Sequence, residues 1–132
     1  MKTFAIRLKP DADLKQSLNN FAAQENLKAG FILSAIGSLK QAKIRFANQQ
    51  TSTILTEKFE ILSLNGTIAT TGIHLHIAIA DKQGKTIGGH LDMGCIIYTT
   101  AEIIIGENDE FTFKRTFDAQ TGYPELEIIP NT

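Results

Sequence analysis

From Ser38 onward the chain is written mainly in period two. SLKQAKIRFAN sets Ala42, Ile44 and Phe46 against Lys43 and Arg45. EKFEILSLNGTIA puts Phe59, Ile61 and Ser63 on one side and Leu62 and Leu64 on the other. GIHLHIAIAD, IGGHLDMGCIIYTTAEIIIG, FTFKRTF and LEII follow. Alternation of this kind belongs to strands with one face in a core. Asn65-Gly66 reads as a bulge or a tight turn, and Gln49–Thr53 as a polar turn.

The N-terminal third reads differently. TFAIRL, residues 3–8, suits a first strand that Pro10 ends. Asp11 or Asp13 can then cap a helix running from Asp13 to about Asn26. Leu14, Leu18, Phe21 and Ala22 give that helix an apolar face. LKAGFILSAIG is expected to add a short second helix closed by Gly37. The sum is about seven strands and one or two N-terminal helices, an α+β layout on a mostly antiparallel sheet. No linker, repeat or low-complexity tract divides residues 1–132, so a single domain is expected.

Composition narrows the function classes. Thirteen basic against 14 acidic residues give a net charge of −1, which argues against a generally basic nucleic-acid footprint. No apolar run approaches the roughly 20 residues that a bilayer span needs, and MKTFAIRLKPDADLKQ lacks the apolar core of a secretory signal. The one cysteine, Cys95, cannot form an internal disulfide. A soluble, cytoplasmic protein without membrane contact is the expectation.

The chemistry concentrates in residues 72–90. In an extended strand His74, His76, Ala78 and Ala80 share a face opposite Leu75, Ile77 and Ile79. Residues two apart on a strand lie about 6.5–7 Å apart at Cα, so two leaning imidazoles can share one metal. His90 follows after 13 residues that include a short turn at Gln83-Gly84. If the chain runs back antiparallel, His90 returns beside the pair, and Gly88-Gly89 permits a close backbone approach. Three histidines leave a fourth coordination position for water, an anion or a substrate. The same pattern is also written by histidines that are merely hydrogen-bonded or solvated.

Other residues carry weaker signals. Glu102 interrupts IIYTTAEIII on the face of Tyr98, Thr100 and Ile104, where a partly buried carboxylate serves as metal ligand, general base or half of an ion pair. Asp81 either orients a histidine or holds a turn, and Asp92 reads as a surface residue. Cys95 reads as a small core residue. Lys40, Lys43 and Arg45, and again Lys114 and Arg115, read as solvated basic faces.

Taken in order, AGFILSAIGSLKQAKIRFAN, KFEILSLNGTIA, HLHIAIADKQGKTIGGHL and GCIIYTTAEIIIGE resemble the PPC domain, the plant and prokaryote conserved family. The resemblance spans nearly the whole chain and points to the stand-alone bacterial type. It implies an α+β fold assembled as a homotrimer, similar in architecture to acetolactate decarboxylase, whose metal is held by three histidines. By that likeness His74, His76 and His90 are the ligands of a divalent metal, zinc first, with a small-molecule ligand or an unassigned reaction, and Glu102 as a catalytic base. Plant members join the domain to an AT-hook that binds DNA, which makes a DNA-binding role the alternative. No AT-hook is present here. The plant Gly-Arg-Phe-Glu-Ile-Leu partner block appears as Glu57-Lys58-Phe59-Glu60-Ile61-Leu62, with its first two residues changed.

Overall fold

The computed structural model covers residues 1–132 and contains nine strands and one helix. They are β1 (Lys2–Leu8), α1 (Leu14–Gln24), β2 (Gly30–Arg45), β3 (Thr53–Leu55), β4 (Phe59–Ala69), β5 (Gly72–Ala80), β6 (Thr86–Leu91), β7 (Ile96–Glu107), β8 (Phe111–Asp118) and β9 (Tyr123–Pro130). Seven strands form one antiparallel sheet in the order β1-β7-β2-β4-β5-β6, with β3 paired to β2. The end of β6 bonds back to β2 through Ile44↔Leu91 and Arg45↔His90, so β2, β4, β5 and β6 close a ring. β8 and β9 make a separate hairpin. The mostly antiparallel α+β layout is therefore observed.

One helix forms where the spacing predicts it. The Asp13 carboxylate accepts from Gln16 N at 3.0 Å, capping the first turn, and from Gly94 N at 2.7 Å, tying the cap to the loop before β7. Leu14, Leu18 and Ala22 are buried. Phe21 meets Phe4 of β1 edge-on, with ring centroids 5.2 Å apart.

The expected second helix does not form. Residues 30–37 open the 16-residue strand β2, which pairs with β4 on one side and β7 on the other. A register shift between Ile32 and Ser34 inserts Leu33 as an extra residue. The shift sets buried Ile32 and Ala35 three apart, a spacing that imitates a helix. β4 carries the same device. Its register shifts between Ile61 and Ser63, so Phe59, Ile61 and Leu64 are buried together while Leu62 faces out. Leu62 and Leu64 thus lie on opposite faces, not on one.

Asn65-Gly66 makes neither a turn nor a bulge. It runs through β4 paired with His76 and Leu75, and the reversal comes later, where Ala69 pairs with Gly72. β3, three residues long, begins at Thr53, the last residue of the expected polar turn. The core is aliphatic: Leu39, Ile44, Ile68, Leu75, Ile79, Leu91, Ile97, Ile103 and Ile105 are essentially inaccessible to water.

Candidate metal centre on β5 and β6

The alternation of β5 sorts its side chains as its sequence demands. Leu75, Ile77 and Ile79 are buried in the core, while His74 and His76 face out. The turn after Ala80 is held by Asp81, whose carboxylate accepts from Gln83 N at 2.9 Å and Lys85 N at 3.0 Å. Asp81 is therefore a turn residue. The chain returns antiparallel and sets His90 directly opposite His76.

Glycines let the neighbouring backbones close in. A Cβ on Gly88 would lie 2.5 Å from the Ile77 carbonyl oxygen. One on Gly66, whose φ is +138°, would lie 2.0 Å from that of His74. Neither position accepts a side chain without movement of the backbone.

The three imidazoles converge. A ligand nitrogen from each of His74, His76 and His90 lies within 4.8 Å of the others. Ring centroids are 5.1, 5.3 and 6.1 Å apart. Nitrogens bound to one tetrahedral zinc at 2.0–2.1 Å sit about 3.3 Å apart, so modest side-chain rotation closes the set. Around this corner Asp81 and Asp92 accept side-chain hydrogen bonds and Arg115 donates one to Thr67, and none involves an imidazole. The rings are thus not explained as members of a hydrogen-bond network. An all-imidazole donor set fits a borderline-soft divalent cation such as zinc.

The electrostatics favour the neutral form of two of the rings, His74 and His90. Burial, then the Arg45 guanidinium and Lys15, push the His90 pKa down to about 4. Burial, then Arg115 and His76, lower that of His74, against a smaller opposing pull from Glu125. A neutral imidazole is the form that binds a metal.

Glu102 lies apart from this group. It is exposed on β7, opposite Arg7 of β1 and Ile36 of β2, with β2 and β4 between it and β5. Cys95 is buried, exchanges hydrogen bonds with the Lys43 backbone, and has its thiol pKa pushed up to about 11 by burial. It is a core residue. Asp92 is partly buried and accepts from Ser52 Oγ at 2.7 Å, which leads the causes that lower its pKa.

Two residues that border the histidines were not visible as their neighbours in the sequence. Arg45 and Arg115, read there as solvated basic positions, border a cleft of about 530 Å³ with His74 and His90. Arg45 has a trace in the alternation, since Ile44 points inward and Arg45 must point out. Arg115 has none, because its hairpin belongs to another sheet. Another concavity, about 660 Å³, lies elsewhere, on the outer sheet face beside Ile36, Leu62 and Tyr98.

Known proteins place these features in a family. The profile of the Plants and Prokaryotes Conserved (PCC) domain matches residues 1–109. A Bifunctional protein GlmU from Synechococcus is 52% identical over 97% of this chain, which spans only 21% of that protein's length. The AT-hook motif nuclear-localized protein 13 of Arabidopsis thaliana is 31% identical over 76% of this chain and 25% of its own length. A hypothetical protein from Salmonella enterica superposes with a TM-score of 0.97 at 41% identity, over 99% of this chain and 95% of its own. A metal-containing protein from Archaeoglobus fulgidus superposes at 0.81 with 29% identity, over 96% and 94% of the two chains. The closed antiparallel sheet and the profile match together establish that this chain belongs to the Plants and Prokaryotes Conserved domain family, the PPC family.

Proposed function

We propose that this chain is a metal-binding domain in which His74, His76 and His90 hold one divalent cation, with zinc the best fit. The observation that carries the reading is the convergence of three imidazole nitrogens within 4.8 Å from two paired strands. The Archaeoglobus relative, described as metal-containing, supports it. A three-histidine set leaves a position for a small ligand, and the bound cation would supply Lewis-acid polarisation there. The protein's own part is to keep His74 and His90 neutral and to turn all three rings toward one point.

We further propose a homotrimer in the cytoplasm. Exposed Ile36, Leu62, Tyr98 and Ile104 on the outer sheet face supply apolar area for subunit contact. Buried Cys95, the only cysteine, is compatible with a reducing compartment. Glu102 shares that outer face, so a role for it as base at a histidine site requires a neighbouring subunit to present it. DNA association is the second reading, supported by the Arabidopsis relative's AT-hook name. A gel shift at low salt tests it, and absence of binding at micromolar protein removes it.

The metal reading is tested by stripping the protein with chelator, adding zinc or manganese, desalting, and measuring metal per chain. His76→Ala should lose the metal while keeping the oligomer and the melting profile of the metal-free protein. Absence of stoichiometric uptake by the unaltered protein would refute the reading.

A further inference from the structure

The cleft beside the histidines has a second chemical feature. Its walls include Arg45, His74, His90, Arg115, Tyr123 and Glu125. Arg45 comes from the end of β2, in register with His90. Arg115, Tyr123 and Glu125 come from the β8–β9 hairpin, which lies beyond the residues matched by the family profile. The hairpin is fastened to the sheet at this corner. Phe113 N donates to Lys28 O at 2.8 Å, Thr71 Oγ1 donates to Phe113 O at 2.6 Å, and Arg115 Nη2 donates to Thr67 Oγ1 at 2.7 Å.

Neither arginine is neutralised. The only side-chain ion pair in the molecule joins Lys40 to Asp11. Arg45 donates to the Gln49 carbonyl at 3.3 Å, and Arg115 to a hydroxyl. Each guanidinium carries five N–H donors, so most remain free. The stem of Arg115 runs over Gly72, where a Cβ would meet its Cγ at 3.0 Å. Packing of the stem leaves the charged head free to face the cleft. Two unpaired guanidiniums against one carboxylate, Glu125, leave the cleft positive before any metal binds.

We infer that this cleft is a binding site for a small organic anion, with Arg45 and Arg115 holding its carboxylate or phosphate next to the histidine corner. The chemistry is the guanidinium fork, which matches two oxygens of either group. The cleft's volume, about 530 Å³, lies within the usual range of roughly 300–1,000 Å³ for small-molecule sites. Tyr123 offers a ring and a hydroxyl to the rest of the molecule. Glu125 disfavours ligands with a second anionic group on its side. The inference deepens the metal reading and rests on it for the remainder of the positive charge. The hairpin becomes the part of the chain that chooses the ligand.

The test is calorimetric titration of the full chain, metal-free and zinc-loaded, at low ionic strength. Propionate and methyl phosphate are the charged probes, and propionamide is the neutral one. Propionate or methyl phosphate should bind, and whichever binds tighter identifies the anionic group. Propionamide should bind at least tenfold more weakly. Arg45→Gln and Arg115→Gln should each weaken the anion about tenfold or more, with zinc content per chain unchanged. Thr67→Val removes the hydrogen bond to Arg115 but keeps its charge, and should change anion affinity by no more than about threefold. Anion binding equal in wild type and both arginine variants, or no anion binding in either metal state, overturns the inference. Zinc uptake is measured separately on the same samples, so a failed metal site and a failed anion site give different results.

Discussion

The histidine corner and the outer face of β7 are alike in several ways. At the corner His74 and His76 are exposed at alternate positions of β5, and on β7 Tyr98 and Glu102 are exposed on one face. At the corner, three like side chains arrive from two strands and meet. On β7, Glu102 has Arg7 and Ile36 as cross-strand neighbours and exposed Ile104 two residues along. The difference lies in the backbone beneath. Gly66 and Gly88 bring neighbouring strands so close that no side chain fits between them, and residues from different strands then project to one point. Alternation selects the face of a strand. Convergence between strands makes a site.

The comparison breaks most sharply at the ligands. His74→Ala, His76→Ala and His90→Ala should each weaken zinc by at least about a hundredfold, beyond what loss of a supporting partner alone produces. Glu102→Gln should leave zinc affinity within about twofold. Competition with a chromogenic chelator reads both. A large loss in Glu102→Gln would move that residue into the site.

The glycines come next. Gly88→Val forces a side chain against the Ile77 carbonyl and should destabilise the fold by about 1–3 kcal/mol, measured by urea unfolding. A valine tolerated without change would show that close backbone approach is not what shapes the corner.

Protonation gives a smaller, signed effect. The folded His90 pKa of about 4 lies below the unfolded value of about 6.5, so between them the unfolded chain binds more protons. Stability of the metal-free protein should therefore fall as pH drops from about 6.5 toward 4. His90→Gln should flatten that slope relative to wild type in urea melts across the window. An unchanged slope would show that His90 is not held neutral by its surroundings.

The smallest effect on zinc belongs to the outer face. Ile36→Ser and Leu62→Ser should shift sedimentation from the proposed trimer toward monomer while leaving zinc content per chain unchanged. Unaltered sedimentation would remove this face from subunit contact.

Much of this was legible in the chain because parity is a local property. Leu75, Ile77 and Ile79 against His74 and His76 can be read only one way in a strand, and the turn at Asp81–Lys85 returns His90 to its place. The helix was legible from Leu14, Leu18 and Ala22, with Asp11 or Asp13 as its cap, and the structure selects Asp13. Residues 30–37 were not, because a bulge at Leu33 turns period two into a helix-like spacing of three. The bulge in β4 hid the separation of Leu62 from Leu64 in the same way. β3 is too short to carry a period. The approach of Arg45 and Arg115 to the histidines depends on how a separate hairpin docks, through Lys28, Thr67 and Thr71, and no spacing within either segment encodes that.

Elemental analysis of untagged, zinc-exposed and desalted protein addresses the central claim without assuming any reaction. One zinc per chain in wild type, and none in the triple variant His74→Ala, His76→Ala, His90→Ala, is the predicted result. A metal-free wild type, or a triple variant that keeps its zinc, would contradict it.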